Sequence, residues 1–173
     1  MKRIDSKTVY EGKIAAVRID QFRYEDGATA EREIVAHPGA VAVAAHDSEH
    51  LWLVRQPREA VGEPRLLELP AGKLDVEGET PLECARRELA EEIGKSATEW
   101  HELKSFYTSP GFAEEEVTVF EATGLADVEH EPDSEERIEI VAWPLAELDA
   151  AIAECADSKS LIGMLLLRDS LTR

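Results

Sequence analysis

The sequence predicts a mixed fold of the α/β or α+β class. Runs of β-branched and apolar residues occur before, between and after three segments with helical periodicity, so strands and helices are mixed along the chain. The 173 residues contain no repeat, no low-complexity stretch and no linker rich in Pro, Gly and Ser. We therefore expect a single domain over residues 1–173, large enough to bury roughly two thirds of the surface of its unfolded chain.

An antiparallel β extension is predicted for residues 1–36. Residues 8–10 and 14–24 are rich in β-branched and aromatic side chains, which favour strands. The dipeptide Asp26-Gly27 comes next and favours a tight hairpin turn.

The rest of the chain is predicted to combine short strands with three helices. Residues 39–46 and 51–55 are two buried strands that we expect to pair as a hairpin across the polar turn 47–49. Further strands are predicted at 66–69, 117–122 and 138–143, and helices at 81–93, 144 to about 155, and about 160–171.

The chain is strongly acidic, with 37 Asp and Glu against 19 Lys and Arg and a formal net charge of −18. Because nucleic-acid phosphates and anionic membrane surfaces repel such a chain, we expect neither as a partner. No apolar run approaches the ~20 residues of a membrane span, and no signal peptide follows Met1, so a cytoplasmic protein is predicted. Cys84 and Cys155 are expected to be reduced and buried.

The helix at residues 81–93 has the clearest boundaries. Thr80 and Glu83 form a capping box, Pro81 takes the first helical position, and Gly94 ends the helix. One face carries Leu82, Ala85, Leu89 and Ile93, and another carries Cys84, Glu88, Glu91 and Glu92.

The acidic face of this helix has two interpretations. Glu88 and Glu92 are like charges one turn apart, which disfavours a helix unless they are compensated, and Glu91 crowds the same patch. The patch could be a solvated surface paired with Arg86 and Arg87. It could instead bind a divalent cation such as Mg²⁺ or Mn²⁺, which prefers carboxylate oxygens. The charge pattern leaves both open.

A longer motif surrounds these glutamates. The chain reads Gly-Lys-Leu-Asp-Val-Glu-Gly-Glu at residues 72–79 and Arg-Glu-Leu-Ala-Glu-Glu-Ile-Gly at residues 87–94. Residues 72–94 strongly resemble the Nudix box, the signature of hydrolases that cleave nucleoside diphosphates linked to another moiety. The resemblance implies an α/β/α sandwich on a mixed β-sheet. Two departures occur: six residues, not five, separate Gly72 from Glu79, and Lys95 stands where the pattern ends in an apolar residue.

Three further segments resemble the ADP-ribose pyrophosphatase branch of this family. They are Leu-Glu-Leu-Pro-Ala-Gly-Lys-Leu at 67–74, Val-Arg-Gln-Pro-Arg at 54–58, and Tyr-Thr-Ser-Pro-Gly-Phe at 107–112. Pro110 lies sixteen residues after Gly94, as in that branch. The resemblance implies Mg²⁺-dependent hydrolysis of ADP-ribose to AMP and ribose 5-phosphate. Another ADP-sugar or nucleoside diphosphate sugar is the alternative substrate.

The resemblance also implies the site residues. Two or more Mg²⁺ ions, or Mn²⁺ in their place, would be bound by Glu88, Glu91, Glu92 and the carbonyl of Ala71, and Arg87 would orient the carboxylates. A general base is expected on the acidic loop at 131–137. Glu136 aligns best as base or further metal ligand, with Glu135 as the alternative, and a merely solvated loop is the competing interpretation.

Substrate contacts are implied for three regions. Arg58 would contact the phosphates, and Glu115 would approach the terminal ribose. Arg32 and Glu33 could reach the adenine side, in a neighbouring subunit. The same loop as Glu115 adds three residues to this set, Pro110, Gly111 and Phe112.

Family members commonly dimerise by exchanging N-terminal strands. The extension at residues 1–36 is compatible with such a homodimer, and an edge hairpin of a monomer is the alternative.

Two hypotheses of other classes compete with hydrolysis. A non-catalytic sensor of the same fold would bind a nucleotide sugar without cutting it, but its usual mark is loss of the box glutamates, and all three are present. A helix whose acidic face serves only solubility would tolerate Gln in place of Glu88 and Glu92.

Overall fold

A computed structural model describes residues 1–129 and 137–172. The described residues form two compact units, Met1–Gly39 with Tyr107–Glu116, and Ala40–Phe106 with the described residues from Val117 onwards. The prediction of one domain over residues 1–173 stays a prediction. Within the described ranges, no helix is long and apolar enough to cross a membrane.

Ten strands and three helices are found in the described residues. The strands are β1 (Lys2–Glu11), β2 (Ala16–Arg23), β3 (Thr29–Ala36), β4 (Ala40–His46), β5 (His50–Arg58), β6 (Glu63–Glu68), β7 (Ala71–Lys73), β8 (Lys95–Tyr107), β9 (Glu116–Asp127) and β10 (Glu139–Pro144). The helices are α1 (Pro81–Ile93), α2 (Leu148–Glu154) and α3 (Ser158–Leu171).

The first unit is built on a three-stranded antiparallel sheet in the order β1-β2-β3, which confirms the predicted N-terminal extension. Gly27 takes a positive φ of 85° in the turn between β2 and β3, a conformation that glycine adopts without steric cost. The segment 107–116 joins this sheet through Val35, whose amide donates to the carbonyl of Phe112 at 2.8 Å. Arg18 adds a forked ion pair with Glu114.

The second unit is built on a seven-stranded mixed sheet with the path β10-β5-β4-β9-β8, to which β6 and β7 add by pairing with β5 and β4. The central strands β4 and β9 run parallel, while β4 pairs antiparallel with β5 and β7. The predicted hairpin between β4 and β5 is confirmed.

Strand β4 separates the two halves of the core. Its side chains alternate, so that Ala40, Ala42 and Ala44 pack on the side of α2 and α3, and Val41, Val43 and Ala45 pack on the side of α1. All seven residues of β4 are buried because helices cover both faces of the sheet. The predicted α/β/α sandwich on a mixed sheet is thereby confirmed.

Helix α1 has the predicted bounds and both halves of its capping box. The Thr80 side chain accepts from the amide of Glu83, and the Glu83 carboxylate accepts from the amide of Thr80 at 2.9 Å. Gly94 closes the helix with a φ of 64°. Cys84 is buried as predicted, and Glu92 on the acidic face is buried as well, because β7 covers that side of the helix.

Several elements differ from the sequence prediction, and β7 is a short strand that was not predicted. Strand β8 was not predicted, since its thirteen residues are largely polar and only partly buried. Helix α2 begins at Leu148 rather than at Pro144, because Pro144 completes β10 and a 3-10 turn follows it. Helix α3 begins at Ser158, two residues early, because the Asp157 side chain caps it by accepting from the amide of Ser160.

The capping box makes a stability prediction. Thr80→Ala removes an acceptor for a helix amide and should lower the free energy of unfolding by about 1 kcal/mol. Thr80→Ser keeps the hydroxyl and should stay within a few tenths of the wild-type value. Urea unfolding followed by circular dichroism measures both. Equal losses in the two variants would show that the methyl group, not the cap, matters.

Candidate active site

The acidic face of α1 lies directly against β7. A Cβ atom built on Gly72 would lie 1.8 Å from Cδ and 1.9 Å from Oε1 of Glu88. Residue 72 is therefore a glycine for a packing reason, since any side chain there would displace the Glu88 carboxylate. The structure thus brings together Glu88 and the loop that the sequence placed beside it.

Glu92 is the most deeply placed of the three box glutamates, with only 5% of its surface exposed. Its Oε2 atom accepts a hydrogen bond of 2.9 Å from the amide of Ala71. Ala71, whose carbonyl is predicted to bind a metal, therefore donates its amide to Glu92, a predicted carboxylate ligand. Glu91, with a side chain 51% exposed, lies at the outer edge of the cluster.

Arg87 organises the carboxylates around it. Its Nε and Nη2 atoms fork onto Glu79 at 2.9 and 3.0 Å, and its Nη1 atom donates to Glu88 at 2.7 Å and to Glu91 at 2.9 Å. Hydrogen bonds from Arg87 hold the pKa of Glu79 below its ordinary value, and the bond to Glu79 is the main reason that the pKa of Arg87 is raised. This geometry is that of an orienting arginine; a catalytic role for Arg87 stays a prediction.

Glu79 is the site residue that sequence reasoning missed. It was recognised as part of the motif but was assigned no partner. The feature that could have identified it is its position at the end of the first half of the motif, eight residues before Arg87. The extra residue in the loop before it does not prevent the fork, because the loop turns at Gly78 with a φ of 83°.

The donor set suits a hard divalent cation, although the described residues do not hold three ligands in place. Carboxylates and a backbone carbonyl are the oxygen ligands that Mg²⁺ prefers. Among residues 1–129 and 137–172, no group of three or more His, Cys, Asp or Glu gathers closely enough to bind a metal. Arg87 contacts Glu88 and Glu91, while Glu92 contacts the Ala71 amide. Glu135 and Glu136 lie outside the described residues.

The structure argues against a solvated acidic face. The side chain of Glu88 is only 13% exposed and Glu92 is buried. Arg86, the other expected partner, lies over the ring of Trp100 with its guanidinium carbon 5.9 Å from the ring centroid. Only Glu91 matches the description of a surface carboxylate.

Arg58 is bound to a buried carboxylate. Its Nε and Nη2 atoms donate to the two oxygens of Glu68 at 2.6 and 2.8 Å, which raises the pKa of the guanidinium. Lys159 of α3 donates to the same carboxylate at 2.6 Å. The phosphate contact of Arg58 stays a prediction. The structure adds a function that the sequence did not indicate, which is to neutralise Glu68.

The other predicted substrate residues lie in the first unit. Glu115 accepts a hydrogen bond of 2.7 Å from the Thr108 hydroxyl. Phe112, next to Gly111 and Pro110, is exposed at the surface of that unit. Arg32 and Glu33 are adjacent on β3 and therefore point to opposite faces of the N-terminal sheet.

Lys95, the charged residue at the apolar position of the motif, has its own environment. Its Nζ atom lies 3.9 Å from the centroid of the Trp52 ring and 2.7 Å from Oδ1 of Asp127. A cation over an aromatic face, with a carboxylate beside it, is a stable arrangement. This departure from the motif therefore leaves the glutamates of α1 undisturbed.

Comparison with known proteins gives consistent results. The family model described as the NUDIX domain matches residues 36–162. The chain is 42% identical to the ADP-ribose pyrophosphatase of Mycobacterium tuberculosis over 167 residues, covering 94% of this chain and 80% of that one. It is 37% identical to the methanol dehydrogenase activator of Bacillus methanolicus, covering 96% and 92%. It is 40% identical to the ADP-ribose pyrophosphatase of Bacillus subtilis, covering 85% and 83%.

A solved structure supports the fold. The crystal structure of an ADP compounds hydrolase superposes with a TM-score of 0.85 at 24% identity, covering 99% of this chain and 94% of that one.

The fork between Arg87 and Glu79 predicts a pH-dependent contribution to stability. Glu79→Gln should lower the free energy of unfolding by about 2 kcal/mol at pH 7, the scale of a hydrogen bond to a charged group. Folding lowers the pKa of Glu79 below its ordinary value of 4.5. The contribution of the charged Glu79 to stability is therefore fully present above pH 4.5, and it is lost as the pH falls through the pKa of the folded state.

Chemical denaturation from pH 7 to pH 3 measures the difference between wild type and Glu79→Gln. The exposed Glu99 provides a matched control, and Glu99→Gln should differ from wild type by only a few tenths of a kcal/mol at every pH. A gap for Glu79→Gln that stayed constant across the range would contradict the role of the charge.

Proposed function

The chain belongs to the Nudix family, and on this premise we propose that it hydrolyses the pyrophosphate bond of ADP-ribose to AMP and ribose 5-phosphate. It is a Nudix hydrolase by its family match and its relatives. In the reaction, a water oxygen attacks one phosphorus and the bond from that phosphorus to the bridging oxygen breaks. Attack at either phosphorus gives the same two products.

The observation that carries the proposal is the carboxylate cluster of α1 against residues 71–72 of β7. Arg87 donates hydrogen bonds to Glu79, Glu88 and Glu91, and the charge of Glu92 acts on Arg58. Carboxylate oxygens gathered on one helix face are the ligands that hard divalent cations prefer. The cluster is held in place by the Ala71–Glu92 hydrogen bond and by the packing of Gly72 on Glu88.

Nudix hydrolases generally use a divalent metal such as Mg²⁺. We assign its ligands to the carboxylates of Glu88, Glu91 and Glu92 and the carbonyl of Ala71, with Glu136 as a further ligand. Two or more ions, Mg²⁺ or Mn²⁺, would supply charge neutralisation of the pyrophosphate and activation of the attacking water. Arg87 keeps Glu88 and Glu91 oriented through its own hydrogen bonds.

The proton of the attacking water needs an acceptor. We assign this function to Glu136, with Glu135 as the alternative. The acidic segment at 131–137 contains several carboxylates, and a carboxylate positioned near the attacking water can act as its general base.

Substrate contacts are proposed for three regions of the chain. Arg58 would offer charge to the phosphates while Glu68 holds its guanidinium. Glu115 and Phe112 would recognise the terminal ribose, together with Pro110 and Gly111. Arg32 and Glu33 would recognise the adenine side.

A homodimer through the N-terminal strands belongs to the same proposal. Strand β1 lies at the edge of its sheet with every residue exposed, so its backbone is open to a strand of a second copy. Sedimentation velocity over a concentration series tests this. We further propose a cytoplasmic location, where Cys84 and Cys155 would remain thiols, and no nucleic-acid or membrane partner for a chain of net charge −18.

A substrate panel tests the proposed activity. Phosphate released through alkaline phosphatase is measured for ADP-ribose, ADP-glucose, NAD, GDP-mannose and a diadenosine polyphosphate, each with Mg²⁺ and with EDTA. ADP-ribose should give the highest kcat/KM, and EDTA should abolish release. If another compound has the highest kcat/KM, that compound is the substrate and the proposed pyrophosphate hydrolysis still holds. If all compounds are inert while ADP-ribose raises the melting temperature, the protein is a sensor.

The box glutamates provide the matched variants. Glu88→Gln and Glu92→Gln should each lower kcat by more than about 100-fold, beyond the usual effect of an outer-shell partner of a metal. The fold should remain, as judged by circular dichroism. Glu99→Gln, on the exposed side of β8, should retain full activity. If Glu88→Gln and Glu92→Gln both hydrolyse substrate at the wild-type rate, the acidic face contributes to solubility only.

The general base is tested by the same substitution at Glu135 and Glu136. Loss of the base should lower kcat by about 10²- to 10⁴-fold and remove the acidic limb of the pH–rate profile. The glutamate whose replacement keeps that limb is not the base. If neither variant alters the profile, the segment is a solvated loop and the proton acceptor lies elsewhere.

A further inference from the structure

The segment 68–71, which ends at the proposed ligand Ala71, is fixed at each residue. The Glu68 carboxylate accepts from Arg58 and Lys159, and the Leu69 amide donates to Oγ of Ser160 at 2.8 Å. The Pro70 carbonyl accepts from the amide of Val43 at 2.8 Å, and the Ala71 amide donates to Glu92. Two of these anchors, Lys159 and Ser160, belong to the first turn of α3.

The first turn of α3 is itself tightly ordered. Asp157 caps the helix, accepting from the amide of Ser160 at 3.0 Å and from its hydroxyl at 2.5 Å. Lys159 bridges Oε2 of Glu68 at 2.6 Å and Oδ2 of Asp157 at 3.0 Å. Burial alone would raise the pKa of Asp157, but the charge of Lys159 and the hydrogen bonds from Ser160 outweigh it, so the pKa is lowered and the carboxylate stays ionised.

The backbone of α3 also packs on this segment. A Cβ atom built on Gly163 would lie 2.5 Å from Cδ1 of Leu69 and 3.1 Å from Cγ1 of Val119. Helix α3 belongs to the core on one face of the sheet, whereas α1 belongs to the core on the other. The segment 68–71 therefore connects the helix that carries the glutamates with a helix across the sheet.

Stabilisation of the fold alone is a poor explanation for this network. Glu68 is 1% exposed and Ser160 is fully buried. Removing such charges from water offsets most of the energy of their ion pairs, and apolar side chains of similar volume often stabilise as well or better. What a buried polar network adds is a defined position for the groups it holds.

We propose that Lys159 and Ser160 are positioning residues for the metal site. They act through Glu68 and the Leu69 amide to hold the carbonyl of Ala71 and, through the Ala71 amide, the carboxylate of Glu92. The inference rests on the metal ligands assigned under the proposed function. It extends the site to a helix on the opposite face of the sheet, far from the motif in sequence.

Binding of Mn²⁺ to the substrate-free protein tests this directly. Free Mn²⁺ is measured by electron paramagnetic resonance in titrations of wild type, Lys159→Met and Ser160→Ala. Each variant should bind Mn²⁺ about 10-fold more weakly, the effect typical of groups that orient metal ligands. Lys159→Arg keeps the cation and should recover most of the affinity.

Arg168→Met is the matched control on the same helix. Arg168 pairs with Asp149 at 3.0 Å on the surface, away from the segment 68–71, so its loss should leave Mn²⁺ affinity unchanged. Hydrogen exchange at the Leu69 and Ala71 amides of the metal-free protein gives a second readout. It should accelerate in Ser160→Ala and Lys159→Met but not in Arg168→Met.

The outcomes separate the inference from the proposed function. Mn²⁺ affinities within 2-fold of wild type in both α3 variants would overturn the inference, even if ADP-ribose is hydrolysed. Weaker Mn²⁺ binding in both, with the control unchanged, would support it even if the natural substrate is another compound. If Ser160→Ala does not fold, Lys159→Met and Lys159→Arg decide. No specific binding of Mn²⁺ by the wild type would remove the metal site and the inference with it.

Discussion

Two carboxylates on one helix face are taken out of water in this protein, and the rest of the site depends on how they are compensated. Glu92 is satisfied by the amide of Ala71, and Glu88 accepts from Arg87, which in turn is held by Glu79. An uncompensated carboxylate in such a place would cost several kcal/mol. Strand β7, the helix α1 and the Arg87–Glu79 fork therefore have to be in place together.

The parts of the fold that could be predicted from sequence are those with local signals. Helix α1 has the predicted bounds because the cap at Thr80, the proline after it and Gly94 fix both ends within the chain itself. The apolar run of β4 predicted a strand buried on both faces. Strand β8 could not be predicted because a half-exposed edge strand needs no apolar pattern. Only its pairing with the neighbouring strand β9 defines it.

The candidate site divides in the same way. Spacing placed Glu88 and Glu92 on one face, and the motif placed them beside the loop. Sequence spacing could not show that Arg58 neutralises Glu68, ten residues further on, because the pairing of β5 with β6 brings them together. It could not show that Ser160 holds Leu69 either, since these partners lie 91 residues apart. Helical periodicity also could not show that Glu92 is buried, because it describes one helix and not what covers it.

The burial of Cys84 has a consequence for redox chemistry. Its thiol lies in the first turn of the site helix and donates to the carbonyl of Lys73, and burial, with the nearby charge of Glu88, raises its pKa to about 12. Oxidants and alkylating agents react with thiolates, and almost none is present at neutral pH. Cys155 is likewise buried with a raised pKa. Thiol oxidants and alkylating agents should therefore leave the carboxylate cluster unaltered, although a cysteine lies beside it.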